Sequence, residues 1–368
     1  MFCGIDWATD HHDVAVVDED GRVVARGRVG NDAAGFAQAL TLLAEAGDSP
    51  EHPIPVGIET DRGLWVGALR ETGRATYPIN PLAASRYRAR YAVSGAKSDA
   101  TDAVLLANII RTDPNAHRPL PADTELAQAI RVLARAQQDA VWARQQIGNQ
   151  IRDLLKDFYP AAIIAFAGLP SGGLARADAR TILAAAPTPA EAARLTPARL
   201  RRLLIKAGRR RDLNRDVERV RAVFTDTYLH QPPVVENAVG IQLSALLRQF
   251  QAASAAADEL AEAATAHFEQ HPDAEIITSF PGLGILAGAR VLAEIGDDRT
   301  RFADARGLKA FAGSAPITRA SGKKTIVTHR HIKNRRLATV GSIWALASLR
   351  SSPGARRHFD ARRAAGDW

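Results

Sequence analysis

Four acidic residues are spaced so that one fold could bring them together: Asp6, Glu59, Asp99 and Asp102. Asp6 interrupts an apolar stretch, GIDWA, and Glu59 closes another, GIET. A lone carboxylate inside an apolar strand is costly unless something uses it. Asp99 and Asp102 stand three apart at the head of AKSDATDAVLLANII (96–110), where Val104, Leu105, Leu106, Ile109 and Ile110 predict a helix. At that spacing two side chains share a helix face. Either aspartate could instead do no more than complement the positive end of a helix dipole. Four converging carboxylates repel one another and take up protons unless a cation lies between them. A ligand set made only of hard oxygens selects Mg2+ or Mn2+ over zinc. Two such ions can activate a nucleophile and steady a leaving oxygen in phosphodiester chemistry. Asp10, Asp13, Asp61, His11 and His12 lie nearby in sequence and are taken as surface or supporting residues.

The elements that must position these acids follow in a definite order. FCGIDWA and HHDVAVVD predict two strands, EDG a turn, and the alternating RVVARGRV a third strand. Residues 31–46 predict a helix with Phe36, Leu40 and Leu43 on one face. IPVGIET is a fourth strand, GLWVGALRETG a helix stopped by Gly73, and ATYPIN a fifth strand. Three meandering strands followed by alternating strands and helices is the order of an RNase H-like α/β domain. In that fold the first and fourth strands are neighbours, so Asp6 and Glu59 should share one rim.

Beyond the proline-rich break DPNAHRPLPAD the texture changes. Leu126, Ile130, Leu133, Gln137, Ala140, Arg144, Ile147, Ile151, Leu154 and Phe158 follow a four-three spacing, which predicts a long heptad-patterned helix with polar insertions. Residues 238–267 predict a second long helix, either its antiparallel partner or a dimer contact. Segment 160–235 is rich in Ala, Arg and Pro and carries the basic amphipathic run ARLRRLLIKAGRRRD. Near the C-terminal end, PGLG joins two apolar helical stretches, either as a helix-hairpin-helix turn that could approach a phosphate or as a plain tight turn. The division expected is 1–118, a catalytic α/β domain; 119–274, an α-helical coiled-coil connection; and 275–368, a mostly α C-terminal domain.

Composition narrows the class of function. With 46% hydrophobic and 24% charged residues over 368 positions, the chain should fold as two or three domains. A single cysteine, Cys3, rules out an internal disulfide, and no Cys/His cluster offers a zinc site. The absence of an 18-residue apolar run and of a basic leader predicts a cytoplasmic protein with no membrane association. Net charge is +8 and unevenly spread: between Ala305 and Phe359 there are twelve Lys and Arg and no acid. A surface of that kind either attracts a polyanion or stands as a solvated basic face; the lack of compensating acids favours nucleic acid. Within it, Arg319, Lys323, Lys324, Arg330, Lys333, Arg335 and Arg336 are the expected nucleic-acid-binding residues.

Taken in order, GIDWATDHHDVAVVD, GIET, AKSDATDAVLLA, FPGLGILAGARVLAEIGD, FADARGLKAFAGSAPITRASGKK and HIKNRRL resemble the IS110 (DEDD-type) insertion-sequence transposases over nearly the whole chain. The resemblance implies a RuvC-like N-terminal domain, a coiled-coil connection and a C-terminal transposase domain carrying a serine. Asp6, Glu59, Asp99 and Asp102 fall on the family's four catalytic, metal-binding acids. Ser321, in the small-residue context after GSAP, falls on its nucleophile; Ser314 is the second choice. Where the family often has SKxGN, this chain reads HIKNRRL, so only Lys333 and Asn334 match. The activity implied is DNA cleavage and rejoining through a covalent phosphoserine, supported by Mg2+ (or Mn2+). The partners implied are donor and target DNA, a structured noncoding bridge RNA, and further copies of the chain as a dimer assembling to a tetramer. The alternative is a RuvC-like nuclease or junction resolvase that cuts with metal-activated water.

Overall fold

The computed structural model describes residues 1–91, 99–167, 176–322 and 324–366. The chain divides into two compact units, Met1–Ala122 and Asp123–Trp368.

In the first unit the strands are β1 (Phe2–Trp7), β2 (His11–Val17), β3 (Val23–Gly30), β4 (Val56–Ile58) and β5 (Thr76–Pro78), in sheet order β3-β2-β1-β4-β5. β1, β2 and β3 form the antiparallel meander; β1, β4 and β5 run parallel. This is the expected mixed α/β arrangement. Helices α1 (Ala33–Glu45) and α2 (Leu64–Glu71) cover one face, where Cys3, Ile5, Val14, Val16, Val56 and Ile58 meet Leu43, Trp65 and Leu69. Burial pushes the Cys3 thiol up to about 12, so it stays a protonated core side chain. Helices α3 (Pro81–Tyr91) and α4 (Asp99–Thr112) follow; α4 adds Leu106, Ile109 and Ile110 to a core with Ile79 and Ala84.

How closely α4 lies on the sheet is set by two glycines. Gly4 and Gly57 are register partners on β1 and β4. A methyl group on Gly4 would stand 2.0 Å from the Ala103 carbonyl oxygen, and one on Gly57 2.9 Å from that of Leu106. Helix backbone therefore rests directly on strand backbone, which only residues without a Cβ permit.

In the second unit α5 (Glu125–Phe158) and α11 (Pro233–Glu269) pack as an antiparallel pair. Gln137 donates to the Ala257 carbonyl at 3.5 Å, while Gly148, further along α5, faces Phe250, earlier on α11. The heptad positions Ile130, Gln137, Ile151 and Phe158 are buried, but so are Ala127, Ala134 and Leu155. The buried stripe is wider than a two-helix seam because other helices cover α5 as well. Near its C-terminal end these are α6 (Pro160–Ala167), α7 (Ala177–Ala185), α8 (Pro189–Ala193), α9 (Pro197–Lys206) and α10 (Leu213–Phe224), which share one core with α5 and α11. Near its start they are α12 (Ala274–Thr278), α13 (Ile285–Ile295), α14 (Ala305–Ala312) and α15 (Arg335–Ser351), packed on Ile130, Ala134 and Phe268. The hairpin β6 (Ile317–Ser321) and β7 (Lys324–Thr328) interrupts this group, and α16 (Pro353–Ala364) ends the chain. Among the described residues no helix is long and apolar enough to cross a membrane.

The PGLG turn has a packing role. α12 has only five residues, and a side chain on Gly282 would strike the Ser348 backbone nitrogen of α15 at 2.5 Å. Trp344 of α15 donates its indole N–H to the Pro281 carbonyl at 3.0 Å. Gly282 therefore faces a helix of its own unit instead of standing open to a phosphate.

Candidate functional site

Ile5 pairs with Ile58, so Asp6 and Glu59 are the next residues along two parallel neighbours, at the carboxyl ends of β1 and β4. Side chains alternate along a strand. Asp6 therefore belongs to the face of Gly4, the face on which α4 lies, while Glu59 follows Ile58 in the bend just beyond β4. On α4, Asp102 precedes the Ala103 carbonyl that rests on Gly4. It is 4% exposed and held by Arg88 of α3, whose Nε and Nη2 both donate to Oδ1, at 3.0 and 2.7 Å. A buried carboxylate with a charge-assisted pair of this kind is fixed in position. Asp13 stands opposite Asp6 on β2 and forms a 2.8 Å ion pair with Arg28 of β3. Asp99 opens α4, and its side chain lies outside the described residues.

The sheet thus places Asp6 and Glu59 directly after a paired residue on each of two neighbouring strands, and α4, which bears Asp102, lies on the face of Gly4 and Gly57. Among the described residues no three His, Cys, Asp or Glu side chains stand close enough to hold one metal ion. The donors on this face suit a hard divalent cation in their chemistry. At Asp102 the countercharge comes from Arg88. Arg88 escaped the sequence analysis because it lies in SRYRARY, a helix with no apolar stripe, fourteen residues before its partner.

Two aromatic features border the acids. A cleft of about 520 Å3 is lined by Trp7, Glu59, Thr60, Arg62 and Gly63. His12 is no surface residue: it is fully buried, its ring between Trp7 and Trp65. Burial holds its imidazole below the usual histidine range.

Ser321 ends β6 at the tip of the hairpin, opposite Lys324, and is exposed. Ser314 follows α14, its hydroxyl donating to the Lys309 carbonyl at 3.3 Å. Of the expected basic contacts, Arg319, Lys324, Lys333 and Arg335 are exposed, and Lys323 falls outside the described residues. Arg330 is partly buried, and its Nε has no hydrogen-bond partner among the described residues. Arg336 is committed elsewhere: it pairs with Asp139 at 2.8 Å and lies 5.0 Å over the Trp142 ring, clamping α15 to α5. Asn334 caps α15, accepting from the Leu337 N–H at 2.9 Å, and donates to Glu294 at 2.6 Å.

Comparison with known proteins matches two family models. A DEDD-type IS110 transposase model covers residues 3–160, and the model described as transposase IS116/IS110/IS902 family covers 274–360. The mini-circle protein named as transposase for IS117 in Streptomyces coelicolor is 60% identical over 368 residues, all of this chain and 89% of that protein. The IS900 42 kDa protein of Mycobacterium paratuberculosis is 27% identical over all of this chain and 90% of its own length. The IS116 44.8 kDa protein of Streptomyces clavuligerus is 29% identical over all of this chain and 89% of its own.

Proposed function

Because the chain belongs to the IS116/IS110/IS902 family of transposases, enzymes that cleave and rejoin DNA, we propose that it does so with two sets of groups, the acids Asp6, Glu59, Asp99 and Asp102 and the hydroxyl of Ser321. What supports this reading is that Asp6 and Glu59 directly follow the paired Ile5 and Ile58 of adjacent parallel strands, and that α4, which bears Asp102, lies on Gly4 and Gly57 of the same strands. Mg2+ (or Mn2+) held by the four acids would polarise the scissile phosphate and lower the cost of forming an alkoxide.

Ser321 attacks phosphorus: its Oγ–P bond forms as the P–O3′ bond breaks. The serine proton leaves, the departing oxygen is protonated, and a free 3′-hydroxyl remains beside a phosphoserine link. Attack by another 3′-hydroxyl on that link reverses the step and joins a new pair of ends. No bond energy is lost between the two steps, so joining needs no further energy source. Arg319 and Lys324 flank the serine on the same hairpin and offset phosphoryl charge. A structured bridge RNA and a dimer that assembles to a tetramer complete the reading. The exposed cations on the hairpin and before α15 are the surface offered to nucleic-acid backbones.

The test is strand cleavage of DNA carrying the element's ends, in Mg2+, by Asp6→Asn and Glu59→Gln variants with unchanged thermal unfolding. Cleavage should fall by at least about a thousandfold. Cleavage at the native rate by both variants would overturn the assignment of the acids.

A further inference from the structure

Trp7 is the last residue of β1, directly after Asp6, and remains 47% exposed at the mouth of the cleft beside Glu59. Its support is unusually well defined. Its ring lies near-parallel to that of His12, with centroids 6.3 Å apart and planes within 24°. His12 is itself edge-on to Trp65 at 4.3 Å, and Trp65 to Phe36 at 5.2 Å. The Ala8 N–H donates to His12 Nδ1 at 3.2 Å, which leaves Nε2 to donate to Asn31 Oδ1 at 3.1 Å. Asn31 in turn donates from Nδ2 to the Thr9 carbonyl at 2.8 Å and from its backbone N–H to the Asp10 carbonyl at 3.2 Å. Every residue of the turn after Trp7 is thereby tied to the His12–Asn31 pair. The pattern requires a neutral imidazole, the form that burial favours.

A half-exposed indole that lines a cleft, at the end of a strand whose following turn is tied down, offers a surface to a flat ligand. The other walls decide which. Glu59, Thr60 and Arg62 are polar or charged, and Arg62 is exposed with no ion pair among the described residues. An aliphatic plug from another protein would strand those groups; a heteroaromatic ring attached to a phosphate would not. Every nucleobase has a π-face, so stacking positions a strand without selecting its sequence.

We propose that Trp7 is a stacking platform for an unpaired nucleobase of the DNA next to the phosphate on which the acids act, with Arg62 contacting the adjoining backbone. This rests on the assignment of Asp6 and Glu59 made above. It also implies that DNA enters this rim locally unpaired, since a base inside a duplex cannot offer its face.

The test uses the full chain without divalent cation, with fluorescent single-stranded oligonucleotides, the same strands carrying abasic positions, and the matching duplex. Trp7→Ala should weaken single-strand binding about tenfold or more, with Trp7→Phe within about threefold of native because a ring is kept. The Trp7→Ala deficit should persist at raised salt, vanish on abasic strands and be absent on duplex. Equal single-strand binding by native and Trp7→Ala proteins would overturn the proposal. So would a Trp7→Phe loss as large as that of Trp7→Ala, because the ring would then serve only to pack on His12. The parent assignment fails separately: active Asp6→Asn would remove the acids' role, whereas an inactive Asp6→Asn with native-like binding by Trp7→Ala would remove only the platform.

Discussion

The acids and the serine sit in opposite kinds of surroundings. Asp6 and Glu59 extend from strands whose preceding residues are buried, and Asp102 is itself 4% exposed and ion-paired. Ser321 caps a two-stranded ribbon in which only Ile317 and Thr328 are even partly covered, with Ile326 57% and Val327 63% exposed. A lone two-stranded hairpin has little stability of its own. If the proposed assignment holds, the difference teaches that one half of the chemistry is preorganised by the fold while the other is presented on an element without a core. Asp102 is held by Arg88 before any DNA arrives. On the proposed role of Ser321, geometry at the serine would be completed by whatever the ribbon touches.

Perturbing the packed half should therefore cost far more than perturbing the ribbon. The largest effect is expected from Gly4→Val. With a methyl already 2.0 Å from the Ala103 carbonyl, α4 must lift from the sheet. Unfolding free energy should drop by about 3 kcal/mol or more, read by chemical denaturation. Arg88→Gln comes next, since it leaves the Asp102 carboxylate buried without its countercharge. A loss of about 2 kcal/mol is expected without divalent cation, and added Mg2+ should raise the variant's melting temperature more than the native protein's. An equal Mg2+ response in both would separate Asp102 from the metal.

Smaller again is the contribution of His12. Its folded value lies below the ordinary 6.5, chiefly through burial. The unfolded chain therefore binds a proton before the folded one does. Stability from this group is fully present above pH 6.5 and is lost as pH falls from there through the lower folded value. A His12→Gln variant should show a shallower fall of stability over that acid interval. The smallest effect belongs to the ribbon: Val327→Ala should change unfolding free energy by no more than about 0.5 kcal/mol. A large loss there would show that the hairpin is braced after all.

Much of the first unit was legible because its signals are local. Alternating apolar residues mark β1 to β3, and the apolar run after Asp102 marks α4. A glycine stands two residues before each strand acid, in GID and GIE, so the approach of α4 was written in the sequence. It became interpretable only once register made Gly4 and Gly57 partners. The pairs Arg88–Asp102 and His12–Asn31 were not legible, because each joins positions whose proximity is decided by the whole fold. In the second unit the heptad spacing found α5 but not the helices that widen its buried stripe, of which α6 to α10 lie in a segment whose composition says little. Arg336 is expected from the sequence as a nucleic-acid contact and Asn334 as a match to the family's pattern; in the structure they clamp and cap α15. Ser321 carries no local sign of the role proposed for it; a polar residue at a hairpin tip is ordinary, and only likeness to a family singles it out.

The joint use of acids and serine is tested most directly by trapping DNA on the protein. End-labelled element DNA is incubated with the full chain in Mg2+, quenched with denaturant, and the adduct digested and mapped by mass spectrometry. The expected result is a phosphodiester on Ser321, absent in Ser321→Ala, absent in Asp6→Asn, and unaffected in Ser314→Ala. Efficient cleavage and joining by Ser321→Ala, with no adduct on the native protein, would show that water or another hydroxyl makes the attack.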